Sequence, residues 1–379
     1  MLGGIDSFPL LAVPMFVLSG ILMAKGGVSK KLFDVFSYFL GEHTAGMPCA
    51  VIVTCLFYGA ISGSAPATVV SMTIPLLIRM GYDKVFVTAI VAVAGGLGVI
   101  IPPSIPFILF GMASGASVGK MFMAGIIPGI LIALLLMLYA LYYCKKHGED
   151  KEKIHAEVSV LHEKGFVKVF LDSFWALLTP VIILGCIYSG IASPTEAAVI
   201  SVFYALIISM CIYRTLKFRD LKGVLVEAIR TFAPILFILS AAVAFSRIIT
   251  LLQIPEMAGD FILSTFSGKV AVLLVINVLL LIVGMVMDTS PAILILTPIL
   301  IPITNSLGID PIQFGIIMVV NLAIGFVTPP IGINLFVASS LTDVPVMQIA
   351  KKAMPLIVFF LIALLAITFI PQISLLLVS

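Results

Sequence analysis

The second half of this chain repeats the punctuation of the first. Gly81 falls on Gly308, Asp83 on Asp310, Gly98 on Gly325, and Pro102-Pro103 on Pro329-Pro330, all at one offset of 227 residues. With a further shift of two residues, SGSAPA (62–67) falls on MDTSPA (287–292). Each half therefore holds an apolar stretch interrupted by small and polar residues, then an apolar run broken by Gly and Pro-Pro. The background is 61% hydrophobic and 10% charged over 379 residues. A soluble domain of this size does not hide so much apolar surface. Apolar runs of about 17–25 residues read as transmembrane helices, and the short alternating segments of a β-barrel are absent from the pattern. The fold class expected is an all-α polytopic membrane protein, an inverted-repeat secondary transporter with two re-entrant helical hairpins and broken helices. A net charge of +3 does not argue for a nucleic-acid partner. The five cysteines are scattered without a CxxC pair, so no metal or disulfide role is expected. The first apolar run lacks the basic flank and small-residue cleavage site of a secretory signal.

Orientation follows from basic loops on the cytoplasmic side. Segment 144–168 carries six Lys and five acidic residues, and 214–222 is also basic. If 170–192 and 197–213 each cross once, both loops lie inside. Counting back, 46–78 enters and leaves from the cytoplasm; counting forward, 270–303 enters and leaves from outside. The halves then have opposite orientations and the C-terminus is periplasmic. The expected organisation is a first arm with a surface amphipathic helix in 1–45, a transport half with a cytoplasmic-side hairpin in 46–120, and arms in 121–252 with a cytoplasmic linker at 144–168. A surface helix follows in 253–269, then a transport half with a periplasmic-side hairpin in 270–345 and a last arm in 346–379.

The interruptions have a physical use. Non-helical backbone survives at membrane depth only inside protein or beside a water-filled cavity. Gly63 permits a tight reversal, and Pro66 and Pro291 suit the first turn of a returning half-helix. Such an N-terminus favours an anion, while half-helix ends leave carbonyls for a cation. Ser62, Ser64, Thr68, Thr289 and Ser290 add hydroxyl oxygens, and Asp288 adds a carboxylate within an apolar hairpin, a functional position by default. The breaks at Gly98–Pro103 and Gly325–Pro330, with Thr328, free further carbonyls because Pro102, Pro103, Pro329 and Pro330 donate no hydrogen bond. This oxygen set suits a hard cation. The plainer readings are close helix packing for the small residues, capping of a half-helix by Asp288, and interhelical hydrogen bonds for Asn321 and Asn334.

At eight stretches the chain resembles one family. They are DSFPLLAVPMFVLSG (6–20), ISGSAPAT (61–68), GYD (81–83), IIPPSI (100–105), GIIPG (125–129), SPTEAA (193–198), LGIDPIQFG (307–315) and IGFVTPPIGINLF (324–336). Together they are similar to the large membrane subunit of tripartite ATP-independent periplasmic (TRAP) transporters of the dicarboxylate or sialic-acid type. The resemblance implies a Na+-driven importer in the bacterial inner membrane, with Na+ as coupling ion and no organic cofactor. It implies a periplasmic binding protein that delivers an organic anion, a small four-helix membrane subunit, and an elevator motion of the domain carrying both hairpins. By motif match, one Na+ site would use Ser62, Gly63 and Ser64 with Gly98 and Ile101. The other would use Asp288, Thr289 and Ser290 with Gly325 and Thr328. Substrate would lie between the tips, at Ser64, Ala65, Asp288, Thr289 and Ser290. Family members usually begin with further hydrophobic sequence before the match to residue 6, so an N-terminal arm helix is expected to be missing here.

Three other readings compete. A Na+/anion symporter needing no binding protein fits the pattern but not the motif set. An intramembrane hydrolase using Ser62 or Ser64 would need a base, and His43, His147, His155 and His162 all fall outside the hairpin tips. A purely structural subunit would have no use for paired hairpins.

Overall fold

In the computed structural model, which describes residues 8–62, 67–266 and 268–378, the repeated residues act as helix punctuation. Gly81 and Gly308 both take positive φ, +88° and +66°, a conformation that a side chain disfavours. Two residues on, Asp83 accepts from the Phe86 N–H at 2.6 Å and Asp310 from the Ile312 N–H at 2.7 Å. Each aspartate thereby caps the helix that follows it. Those helices end at the Gly–Pro-Pro breaks, where both Pro-Pro peptides are cis. The SPTEAA motif is a capping box: Ser193 Oγ accepts from the Glu196 N–H, and the Ser193 N–H donates to the Glu196 carboxylate at 2.8 Å.

The helices are α1 (Ala12–Lys25), α2 (Val28–Leu40), α3 (Gly46–Ser62), α4 (Ala67–Arg79), α5 (Lys84–Gly95), α6 (Ile105–Ser114), α7 (Val118–His147), α8 (Lys151–Glu163) and α9 (Phe166–Tyr188). Then come α10 (Pro194–Ile207), α11 (Leu221–Leu251), α12 (Ile254–Thr265), α13 (Lys269–Val286), α14 (Thr289–Ser306), α15 (Pro311–Gly325), α16 (Ile333–Thr342), α17 (Val346–Phe369) and α18 (Pro371–Leu375). Eight described helical segments are long and apolar enough to cross a membrane. Helices α2 and α12 fall within 1–45 and 253–269, the ranges in which surface helices were expected. The expected linker 144–168 holds a helix of its own, α8. It buries Ile154 and Val158 against the α2 side and ties down through His155 Nδ1 and Glu42 Oε1 at 3.1 Å.

The two repeats interlock. Helix α3 packs on α5 as α13 packs on α15, whereas α14 lies against α6 of the other half and α4 against α16. Residues 85–94 and 314–325 are buried almost throughout, so α5 and α15 form the centre of this body. Around it, α1 packs on α10 and α11, and α2 on α9. Helices α7 and α17, grouped with the arms on sequence, pack chiefly on α3, α5 and α15 and on each other. Length and apolarity mark a spanning helix; they do not say which neighbour it will pack against.

Candidate functional site

The first hairpin tip lies largely outside the described residues. Gly63, Ser64, Ala65 and Pro66 are not described, and for Ser62 only the backbone is, at the end of α3. The second tip is described. Helix α13 ends and α14 begins at Met287 and Asp288, both extended. Asp288 caps α14 by accepting from the Ser290 N–H at 3.4 Å, so the plainer capping reading is realised. Pro291 follows within the first turn. Thr289 and Ser290 are 3% and 6% exposed, and among the described residues neither hydroxyl has a hydrogen-bond partner.

Close glycine contacts hold the first break against α3 and the second against α13. A Cβ on Gly59 would meet the Gly98 backbone, and one on Gly325 would meet the Gly284 backbone at 2.6 Å from its Cα. Gly59 and Gly284 are themselves related by the same shift as SGSAPA and MDTSPA, so both halves bring a helix, α3 or α13, onto a break through paired glycines. At the first break, no described donor reaches the carbonyls of Gly98 or Ile101, while Ser104 Oγ donates to Val99 O at 2.5 Å. At the second, the Gly325 carbonyl accepts from the Thr328 N–H at 3.2 Å, and Thr328 Oγ1 donates to Ile324 O at 2.7 Å. No described donor reaches the carbonyls of Val327, Thr328, Pro329 or Pro330.

A cavity of about 170 Å³ joins the second tip to both breaks. Its polar lining is Asp288, Thr289, Ser290 and Asn334; its apolar walls come from Val99, Ile105 and Pro106 at the first break, Phe326 and Ile333 at the second, and Ile235 on α11. Asn334 Nδ2 donates to Ala92 O at 3.1 Å, pinning α16 to α5 beside the first break. Among the described lining residues there is no Lys, Arg or His, and Asp288 is the one charged group. A larger cavity of about 380 Å³ lies along α11 at Leu239, Val243 and Ser246, and its other described lining, Pro9, Met112, Ala113, Leu294 and Pro298, is apolar.

The cavity thus brings together Asp288, Thr289 and Ser290 from the expected set. Gly98, Ile101, Gly325 and Thr328 are not among its described lining residues; Ile101 packs on Gly129 of α7. Asn321 lies elsewhere: its Nδ2 donates to Asn277 Oδ1 at 2.8 Å across α13 and α15, the interhelical role. Val99 and Phe326 lie within the breaks named from sequence, whereas Ile105, Pro106, Ile333 and Ile235 were not singled out as walls. The first three adjoin the repeated breaks and were within reach; Ile235 sits in an apolar run that carries no signal.

Comparison with known proteins adds the following. The chain matches the family described as "Tripartite ATP-independent periplasmic transporter, DctM component" over residues 1–373. It is 47% identical to an isethionate TRAP transporter permease protein, DctMQ, of Oleidesulfovibrio alaskensis over 97% of its own length and 58% of that relative's. It is 39% identical to the C4-dicarboxylate TRAP transporter large permease protein DctM of Pseudomonas aeruginosa, covering 98% of this chain and 86% of the relative. These are permeases, not enzymes. Among solved structures, the Alcanivorax borkumensis YdaH transporter superposes with a TM-score of 0.70 at 15% identity, over 99% of this chain and 86% of that one, a likeness of fold.

Proposed function

Because the chain belongs to the DctM component family of tripartite ATP-independent periplasmic transporters, we propose that it is the membrane permease of a Na+-coupled importer of small organic anions. Asp288 carries the argument. Among the described lining residues it is the sole charged group of a cavity meant to receive an anion, with no cationic side chain beside it. An anion placed at about 4 Å from it is repelled by roughly 4 kcal/mol at an effective dielectric of about 20. A cation held between them turns that repulsion into a bridge. Oxygens for such a cation are at hand: the Asp288 carboxylate, the Thr289 and Ser290 hydroxyls, and carbonyls at both breaks. Sodium, a hard cation that takes oxygen ligands, fits this set. Its sites would be the first tip (Ser62, Gly63, Ser64) with Gly98 and Ile101, and Asp288–Ser290 with the stretch from Gly325 to Pro329.

The interlocked body of α3–α7 and α13–α17 is the moving unit of an elevator, and α1, α2 and α9–α12 are its frame. Helices α7 and α17 are assigned to the moving unit because they pack on α5 and α15. The paired helices α3–α4 and α13–α14 act as re-entrant hairpins from opposite faces of the bacterial inner membrane. A periplasmic binding protein supplies the anion. A small membrane subunit braces the frame; the fused name DctMQ of one relative is in keeping with that partner.

The test is uptake by proteoliposomes holding the chain, a small subunit and a binding protein. An inward Na+ gradient should drive labelled anion uptake, an equal K+ gradient should not, and Asp288→Asn should abolish uptake while the complex still assembles. Uptake indifferent to Na+ would overturn the reading.

A further inference from the structure

We propose that the start of α9 and the α10–α11 connection form a binding surface for anionic phospholipid headgroups. This binding needs neither the coupling ion nor the transported anion. Helices α1 and α10 end at this level and α9 and α11 begin here, each within a segment long and apolar enough to span. Lys164 and Lys168 flank the start of α9, Arg214 and Lys217 lie in the connection, Arg219 in a single 3-10 turn, and Lys222 in the first turn of α11; all six are exposed. The connection is fastened to its neighbours. Thr215 Oγ1 donates to Gly26 O, just past α1, at 2.9 Å; the Tyr213 hydroxyl donates to Asp172 O, on α9, at 2.7 Å; and Leu216 is buried. The cations therefore share one edge of the molecule and do not trail on a loose loop.

Nearby acids are already engaged. Asp172 pairs with Lys31 at 3.0 Å and Glu227 with Lys25 at 2.6 Å, while the Asp220 carboxylate accepts from the Lys217 N–H at 2.8 Å. None of the six cations has an ion-pair partner among the described residues. The far ends of the same helices differ. The α9–α10 connection, 189–193, carries no charged residue, and 252–268 holds Glu256 and Asp260 without a Lys or Arg. Positive charge fixed at one end draws that end to anionic headgroups, by about fivefold in affinity for each Lys or Arg near the surface.

Phe218 points to a lipid as the source of the phosphate. It stands between Lys217 and Arg219 and is 81% exposed. Phe166, Val167 and Leu171 are likewise exposed around Lys164 and Lys168. Apolar groups interleaved with cations fit the boundary where acyl chains meet headgroups, with Lys and Arg stems along the apolar side and their charged ends at the phosphates. A free phosphate ion would leave these apolar side chains in water.

The experiment uses the full chain with its small subunit in a non-ionic detergent and KCl, reading thermal unfolding against dioleoyl phosphatidylglycerol, dioleoyl phosphatidylcholine and glycerol phosphate. Phosphatidylglycerol should reach half-saturation at least about tenfold lower than phosphatidylcholine, and glycerol phosphate should not stabilise. The combined change Arg214→Gln, Lys217→Gln and Arg219→Gln should weaken phosphatidylglycerol at least about tenfold. Phe218→Ser should weaken both lipids and leave the preference for the anionic one. Should the combined variant not fold, the panel on the unaltered chain and on Phe218→Ser decides. Equal action of the two lipids, glycerol phosphate acting as well as phosphatidylglycerol, or a preference unaltered by loss of the three charges would each overturn the proposal.

Discussion

Replacing Gly325 by Ala tests whether the glycine contacts position the candidate ion site. A Cβ there would stand 2.6 Å from the Gly284 Cα and nearer still to the Gly284 carbonyl. Carbon atoms rest at about 3.5–4.0 Å, so α13 and α15 must part by roughly 1 Å. Overpacking of that kind costs about 1–3 kcal/mol. The same displacement moves the backbone between Gly325 and Pro329, where the proposed carbonyl ligands lie, so Na+ affinity should fall; a loss of about 1.4 kcal/mol is tenfold. The control is Gly185→Ala on α9, where an added Cβ meets no atom within 4 Å. Replacing a mid-helix glycine there should be neutral or gain about 0.5–1 kcal/mol. Thermal unfolding over a NaCl series reads both quantities. Equal midpoints and equal Na+ half-saturation for the two variants would refute the reasoning.

Three further outcomes follow from other contacts. Asn277→Leu removes the Oδ1 to which the Asn321 amide donates at 2.8 Å but keeps the Asn277 backbone carbonyl at 3.0 Å, so it should cost about 0.5–1.5 kcal/mol, whereas the double change to Leu at 277 and 321 should cost less than the sum of the single changes; a thermal-unfolding cycle measures this. Glu149 accepts from the Ala45 N–H at 2.9 and 3.1 Å and from the Tyr82 hydroxyl at 2.5 Å; Glu149→Ala should lose about 1.5–3 kcal/mol and speed hydrogen exchange at the Ala45 amide, with Glu149→Gln intermediate. Burial on α2 pushes the Asp34 carboxyl above its ordinary value of 3.8, against the lowering pull of Lys30, Lys164 and Lys31. The folded chain then holds a proton that the unfolded chain has lost. That contribution is complete below pH 3.8 and disappears as pH rises through the folded value, so Asp34→Asn should raise the unfolding midpoint at pH 7 and not below pH 3.8.

Much of this fold was legible because its breaks are chemical. Positive-φ glycines at 81 and 308, capping aspartates at 83 and 310, and prolines at 102–103 and 329–330 declare helix ends whatever surrounds them. Asp288 stood out because a carboxylate within hydrocarbon needs a reason. The groups that escaped notice work through packing. Ile235 differs from its neighbours only in facing the cavity, and α7 and α17 read as spans like any other until their partners are seen. Glu149 looked like one charge in a solvated linker, and nothing local in the sequence places it under the Ala45 and Tyr82 donors.

The central claim is that the hairpin tips hold Na+. The most direct measurement is thermal unfolding of the chain with its small subunit as NaCl replaces KCl at constant ionic strength, with Asp288→Asn and Ser64→Ala in parallel. The account predicts saturable stabilisation by Na+ that K+ does not reproduce and that either substitution weakens. Identical unfolding in the two salts, or a Na+ effect untouched by both substitutions, would contradict it.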